Sequence, residues 1–339
     1  MTDYKNLKLI ATSSPHIRAA ENTRSVMLDV IIALLPALAW SVAAFGPRAL
    51  TISCVSVILC VFWEWLYRKL LKKPQSVGDL SAVVTGLLLS FVCPVDVTYF
   101  AIGVGSFFSI IVAKQLFGGI GKIFVNPALV GRAVLLASFA GTMTTWAAFP
   151  SRSPLFGSTA DVVTAATPLS YLHANNLQGL LDSGVKLSDM FFGKIGGSLG
   201  EVSVVMLLIG AAWLLIRKVI SWQTPVAYIG TVAVLTFLFP RGNDSLTWML
   251  FNLLGGGLML GAFFMATDYA TSPVTKKGQL LYGLGCGLIT VFIRYFGSYS
   301  EGVCYSILLM NLLTPLIDKY LKPRRFGVVK AEKKEADAK

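Results

Sequence analysis

Charge is scarce in this sequence: 14% of its 339 residues are Asp, Glu, Lys or Arg, against roughly 25% in soluble domains. So few charges cannot coat a water-exposed surface of this size, which excludes an ordinary soluble enzyme. Histidine is scarcer still. The two present, His16 and His173, stand far apart and make no metal site by themselves. Five cysteines (Cys54, Cys60, Cys93, Cys286, Cys304) fall in or beside apolar runs with no C-x-x-C pair. Zinc, haem-attachment and iron–sulfur spacings are therefore absent, and each cysteine reads as a small packing residue. A Rossmann glycine fingerprint is missing too, which excludes a nicotinamide site of that kind. No cleavable leader is expected, because the first apolar run begins at Ser25 and lacks a small-residue cleavage site.

Apolar residues make up 55% of the chain, and the mean hydropathy is +0.69. They come in runs of about twenty, the length that crosses roughly 30 Å of hydrocarbon. Ten runs stand out: 26–45, 50–67, 79–94, 98–116, 127–146, 201–216, 223–239, 247–267, 279–296 and 302–318. The third is short and carries Gly86 and Pro94, so it is expected to be broken or partly re-entrant. The fold class predicted is an all-α integral membrane protein of about ten transmembrane helices. A net charge of +12 does not point to nucleic acid, because the basic residues are scattered between apolar runs rather than gathered on one domain.

Their positions set a direction. With the amino terminus in the cytoplasm, the inner segments hold clusters such as Arg68, Lys69, Lys72 and Lys73, the pair Arg217 and Lys218, the pair Lys276 and Lys277, and the basic tail from Lys319. The outer segments hold only Arg48, Arg152, Lys186, Lys194, Arg241 and Arg294, and Arg132 falls within a run. This is the positive-inside pattern, and it puts both termini in the cytoplasm. The expected organisation is a cytoplasmic segment 1–25, a five-helix half 26–146, an extracytoplasmic loop 147–200, a second five-helix half 201–318 and a charged tail 319–339.

Five spans on each side of the loop mean that any internal repeat is inverted. Leu34-Leu35-Pro36-Ala37-Leu38-Ala39-Trp40 is similar to Leu207-Leu208-Ile209-Gly210-Ala211-Ala212-Trp213. Gly86-Leu87-Leu88-Leu89-Ser90 is similar to Gly257-Leu258-Met259-Leu260-Gly261, with Asp96 and Asp268 following. Inverted repeats commonly place their site between interrupted helices.

The outer loop contains Asp161-Val162-Val163-Thr164-Ala165-Ala166-Thr167-Pro168. Its small residues would let a modifying enzyme reach the backbone, and Pro168 disfavours helical backbone at Thr167. On spacing alone an ordinary exposed threonine-rich loop is the better explanation. The segment also resembles the flavinylation signal of the NqrB/RnfD family, membrane subunits of bacterial redox-driven ion pumps. That signal runs acid, two variable residues, Ser or Thr, Gly or Ala, Ala, Thr, and it is complete here.

The resemblance implies that a separate flavin transferase esterifies the phosphate of FMN to Thr167, with Asp161, Thr164, Ala165 and Ala166 forming the recognition segment. Further stretches resemble the same family: Ser13-Ser14-Pro15-His16-Ile17-Arg18, and Gly118-Gly119-Ile120-Gly121-Lys122 with Asn126-Pro127-Ala128-Leu129-Val130-Gly131-Arg132. Phe264-Met265-Ala266-Thr267-Asp268 with Thr271-Ser272-Pro273 is another, with Tyr269 where a proline is expected. Asn126 followed by Pro127 also reads as a helix start on its own chemistry. The nearby glycines either cradle a phosphate or turn the chain. With no long amino-terminal extension, the chain is expected on the RnfD branch.

Asp29, Glu64, Arg132 and Asp268 lie in or at the ends of runs, where charges are costly and often functional. The simpler alternative is that they are satisfied near an interface. Arg132 would steady a flavin or pair with an acid, and Trp63, Trp65 and Tyr67 read as an interfacial belt rather than a redox path. The family resemblance implies an electron-transfer component of a bacterial inner-membrane complex that links reduced ferredoxin to NAD and moves Na+ or H+. Its partners would be the other membrane and peripheral subunits and the lipid bilayer, with room for a second, non-covalent flavin. The competing readings are a ten-helix secondary transporter or channel and a scaffold component without cofactor.

Overall fold

Asn22 starts the first helix by a reciprocal capping box: its side-chain oxygen accepts from the Ser25 amide at 2.9 Å, and its own N–H donates to Ser25 Oγ at 3.1 Å. α1 (Thr23–Phe45) follows and ends at Gly46, whose φ of 82° turns the chain into Pro47, the first residue of α2 (Pro47–Leu70). The computed structural model describes residues 22–149, 166–242 and 244–322. All elements among these are helical. The first half continues with α3 (Ser81–Phe91), then α4 (Tyr99–Phe107), which passes into a π-helix over Phe108–Gln115, then α5 (Pro127–Ser138) and the single turn α6 (Ala140–Met143). Three short helices cross the loop: α7 (Pro168–His173), α8 (Leu177–Asp182) and α9 (Leu187–Phe192). The second half comprises α10 (Val204–Ile216), α11 (Gln223–Leu238), α12 (Ser245–Leu254), α13 (Leu258–Leu260) running on as a π-helix over Gly261–Met265, α14 (Lys276–Phe296) and α15 (Val303–Tyr320).

Each of the ten apolar runs contains at least one helical stretch. Of these, α1, α2 and α14 are long and apolar enough to cross a membrane alone. α12 and the stretch from Leu258 to Met265 make a fourth when taken together across their 61° bend. The longest helix in the third run is α3, eleven residues, and the fifth run breaks at Phe139 between α5 and the single turn α6. The bend in the eighth run has no counterpart among the sequence expectations. It falls at Gly255-Gly256-Gly257, where φ reaches 66° and 65° at the last two residues, a conformation that glycine adopts without steric cost.

The exposed faces are apolar, including Ile58, Phe100, Ile216 and Phe292. Polar side chains are inside instead. The Tyr228 hydroxyl meets Thr290 Oγ1 at 2.6 Å and Ser306 Oγ at 2.9 Å in the core. That inversion suits a lipid solvent, in which buried polar groups must find partners within the protein. Trp65 and Tyr67 carry the ammonium groups of Lys69 and Lys73 at 4.5 and 5.2 Å, as an interfacial belt would, whereas Trp63 turns inward onto Phe107.

The two matched heptapeptides of the first and sixth runs lie on α1 and α10, which pack directly on each other. Gly210 makes this possible, because a Cβ there would overlap the Ala33 carbonyl oxygen. The glycine stretches of the third and eighth runs are not equivalent in place: Gly86 lies within α3, and Gly257 precedes α13. Leu80, which precedes α3, shares the backbone conformation of Gly257, with φ 63° and ψ 4° against 65° and 14°. Overpacking a close helix contact costs about 1–3 kcal/mol. Gly210→Val is therefore expected to lower the unfolding midpoint in detergent, and an unchanged midpoint would show that α1 and α10 are not this close.

Candidate functional site

Thr167 is extended and caps a helix, for the reason Pro168 suggested. Its ψ is 152°, Pro168 is the first residue of α7, and Thr167 Oγ1 accepts from the Ser170 amide at 3.3 Å. α7 is held from below by an apolar cluster in which Leu169 and Leu172 pack with Leu177, Leu180, Met190, Trp248 and Phe251. Other contacts tie the loop to the first half. Trp40 Nε1 donates to Gly193 O at 3.2 Å, Ser41 Oγ donates to Leu199 O, and the Leu199 and Gly200 amides donate to Cys93 O and Phe91 O at 3.0 and 2.9 Å. Asp161, Thr164 and Ala165 lie outside the described residues, and Ala166 is exposed beside Thr167.

Thr167 opens onto a cavity of about 380 Å³ whose walls include Trp146, Ser170, His173, Tyr299 and Glu301. This lies within the roughly 300–1,000 Å³ of small-molecule sites. Two aromatic side chains, hydroxyls and a carboxyl fit a flat, polar-edged ring such as a flavin. His173 Nδ1 lies 2.9 Å from the Arg294 carbonyl. A carbonyl only accepts, so Nδ1 carries the hydrogen and Nε2 is left for another partner. A second cavity of about 30 Å³ lies on the other side of Thr167, against Gly255, Gly256 and Glu201.

Buried charge surrounds this end of the molecule. Arg132, which the sequence left between a flavin and an acid, bridges two acids: Nη1 meets Glu201 Oε1 at 2.8 Å and Nη2 meets Glu301 Oε2. Arg294 lies under the Gly255–Gly257 break and donates to Asn252 O at 2.5 Å and Gly255 O at 3.1 Å. Sequence reasoning missed Glu201, Glu301 and Arg294 as site residues, although each stands at or near the edge of an apolar run.

On the opposite side, Lys114 Nζ meets Glu64 Oε2 at 2.7 Å and Ser81 Oγ at 2.6 Å, next to the Leu80 turn. Asp29 pairs with Arg217 at 3.3 Å, and Asp268 accepts from the Ala270 amide at 3.4 Å within its own turn. Tyr269, in place of the expected proline, donates its hydroxyl to Val219 O. Gly118, Gly119 and Gly121 all have positive φ and turn the chain toward Asn126, which caps α5 and donates Nδ2 to Met265 O at 3.3 Å. A cavity of about 90 Å³ between the halves is bordered by Lys114, Asn126 and Asp268. Its volume falls short of a flavin, so the residues there do not fit the second, non-covalent flavin as they stand.

Residues 10–327 match the family described as NQR2, RnfD, RnfE. The chain is similar to the D subunit of the Na+-translocating ferredoxin:NAD+ oxidoreductase complex of Acetobacterium woodii, with 49% identity over 98% of this chain and 99% of that protein. It is 44% identical to the D subunit of the proton-translocating ferredoxin:NAD+ oxidoreductase complex of Clostridium ljungdahlii, over 95% of this chain and 97% of that protein. To the D subunit of the ion-translocating oxidoreductase complex of Actinobacillus succinogenes it is 36% identical, over 93% and 97%.

Proposed function

Because the chain belongs to the NQR2, RnfD, RnfE family, we propose that it is the D subunit of an Rnf-type ion-translocating ferredoxin:NAD+ oxidoreductase and carries FMN esterified to Thr167. One observation carries the cofactor assignment. The final threonine of a complete flavinylation signal borders a cavity of about 380 Å³ with aromatic and polar walls. The chain is not catalytic alone; it works beside the complex's other membrane and peripheral subunits, after a flavin transferase has loaded it. It crosses a bacterial inner membrane ten times with both termini inside and the Thr167 loop outside, a reading supported by the distribution of Lys and Arg and by a helix in every apolar run.

When bound, FMN supplies the electron-accepting and electron-donating chemistry, and the protein supplies position and electrostatics. Thr167 offers the hydroxyl from a backbone held by Pro168 and by Ser170, whose Oγ donates to Thr167 O at 2.7 Å. Trp146 and Tyr299 wall the ring's space, and the bridged carboxylates on Arg132 set its charge. The coupling ion is sodium in one relative's name and the proton in another's, and the proposal covers either.

The test is in-gel flavin fluorescence after denaturing electrophoresis of the protein co-expressed with a flavin transferase. A fluorescent band is expected. A dark band, with the transferase active on a control protein, would overturn the covalent assignment and favour a transporter or channel without redox cofactor.

A further inference from the structure

Thr167 and Glu301 are the two described residues that border both cavities flanking the proposed attachment point. Glu301 reaches this place from the turn between α14 and α15, more than a hundred residues along the chain. Its carboxyl is 18% exposed and is fixed by Arg132, which the Glu201 carboxylate shares from the segment before α10. Arg294 of α14 and Cys304 of α15 also face it, and His173 and Tyr299 share the larger cavity. Arg294 is engaged by backbone carbonyls rather than by a carboxylate.

Arg132 and Arg294 balance the Glu201 and Glu301 carboxylates in number, but Glu301 is the one of the two carboxylates that borders the space sized for a ring. A negative charge held there opposes the arrival of electrons, and low local dielectric strengthens the effect. Resting on the flavin assignment above, we propose that Glu301 is a positioning residue that sets the electron affinity of the flavin on Thr167 through the charge of its carboxylate. Arg132 keeps that carboxylate in place. Burial pushes the Glu301 carboxyl up to about 7, against the pull of Arg132 and with a further push from Glu201. The charge is therefore present above neutral pH and is lost below it.

The test is a redox titration of the covalent flavin in the full flavinylated chain, followed by its absorbance, for wild type, Glu301→Gln and Glu301→Asp on either side of neutral pH. At alkaline pH, Glu301→Gln is expected to raise the ratio of reduced to oxidised flavin about tenfold at fixed applied potential, about 30 mV for a two-electron couple. At acid pH it is expected to match wild type, because a protonated carboxyl and an amide carry the same charge. Glu301→Asp is expected to follow wild type at both. Comparing variants at each pH cancels the titration of the flavin itself.

An equal shift at both pH values, or none at either, would overturn the inference while leaving the flavin assignment intact. A wild-type chain with no covalent flavin would instead overturn that assignment before any potential is read. Should Glu301→Gln fail to accumulate, the reduced-minus-oxidised infrared difference spectrum of wild type near neutral pH decides. A carboxyl band that moves on carbon-13 labelling of glutamate supports the inference, and its absence overturns it.

Discussion

Thr167→Val is expected to leave the chain with no covalent flavin while it still folds. Valine keeps the shape of threonine and removes the hydroxyl that the ester needs. The structural cost is one helix cap, about 0.5–2 kcal/mol, set against a short helix whose Leu169 and Leu172 are buried among Trp248 and Phe251. Loss of the fluorescent band with unchanged yield and unfolding midpoint therefore reports on chemistry rather than on folding. Ser170 is the nearest rival hydroxyl, but it lies one turn on and donates to Thr167 O. Thr167→Ser keeps both hydroxyl and cap, and is expected to retain the band. Fluorescence persisting in Thr167→Val at the wild-type intensity per protein would move the attachment to another residue.

Arg132→Leu is expected to be the most destabilising single change in the site. Removing one partner of a buried ion pair costs about 3–5 kcal/mol, because the other charge stays buried and uncompensated. Here two carboxylates lose the same counter-charge, with exposures of 8% and 18% at Glu201 and Glu301. The unfolding midpoint in detergent should fall steeply, and adding Glu201→Gln and Glu301→Gln to the same chain should restore much of it, since replacing a whole buried ionic group is far milder than breaking it. A single variant as stable as wild type would show that Arg132 does not carry these charges.

The helices were legible because their causes are local. Asn126 with Pro127 began α5 where capping chemistry put it, and Pro168 held Thr167 extended as expected. The charges were legible only one at a time. Arg132 reads as a cation within an apolar run, but its partners stand 69 and 169 residues away, beyond the reach of any periodicity. Lys114 looked like an inner-loop charge by position. The π-helix at Phe108–Gln115 instead carries it into the core against Glu64. Arg294 looked like an outer-loop charge and lies 3% exposed beneath the glycine break of the eighth run. Apolar run length measures what a segment can cross, and it is blind to the polar contacts made after the halves come together.

The anchoring of α7 has a mechanical meaning. The proposed attachment threonine caps a helix whose apolar face is locked into α12 through Trp248 and Phe251, so the base of any group esterified there is stationary. A cofactor on such a base can pivot only about its own sugar-phosphate chain. The reach of its ring toward donor and acceptor is then a fixed length, not the sweep of a swinging arm, and a substitution that loosens the α7–α12 contact would lengthen electron-transfer distances without touching the ring.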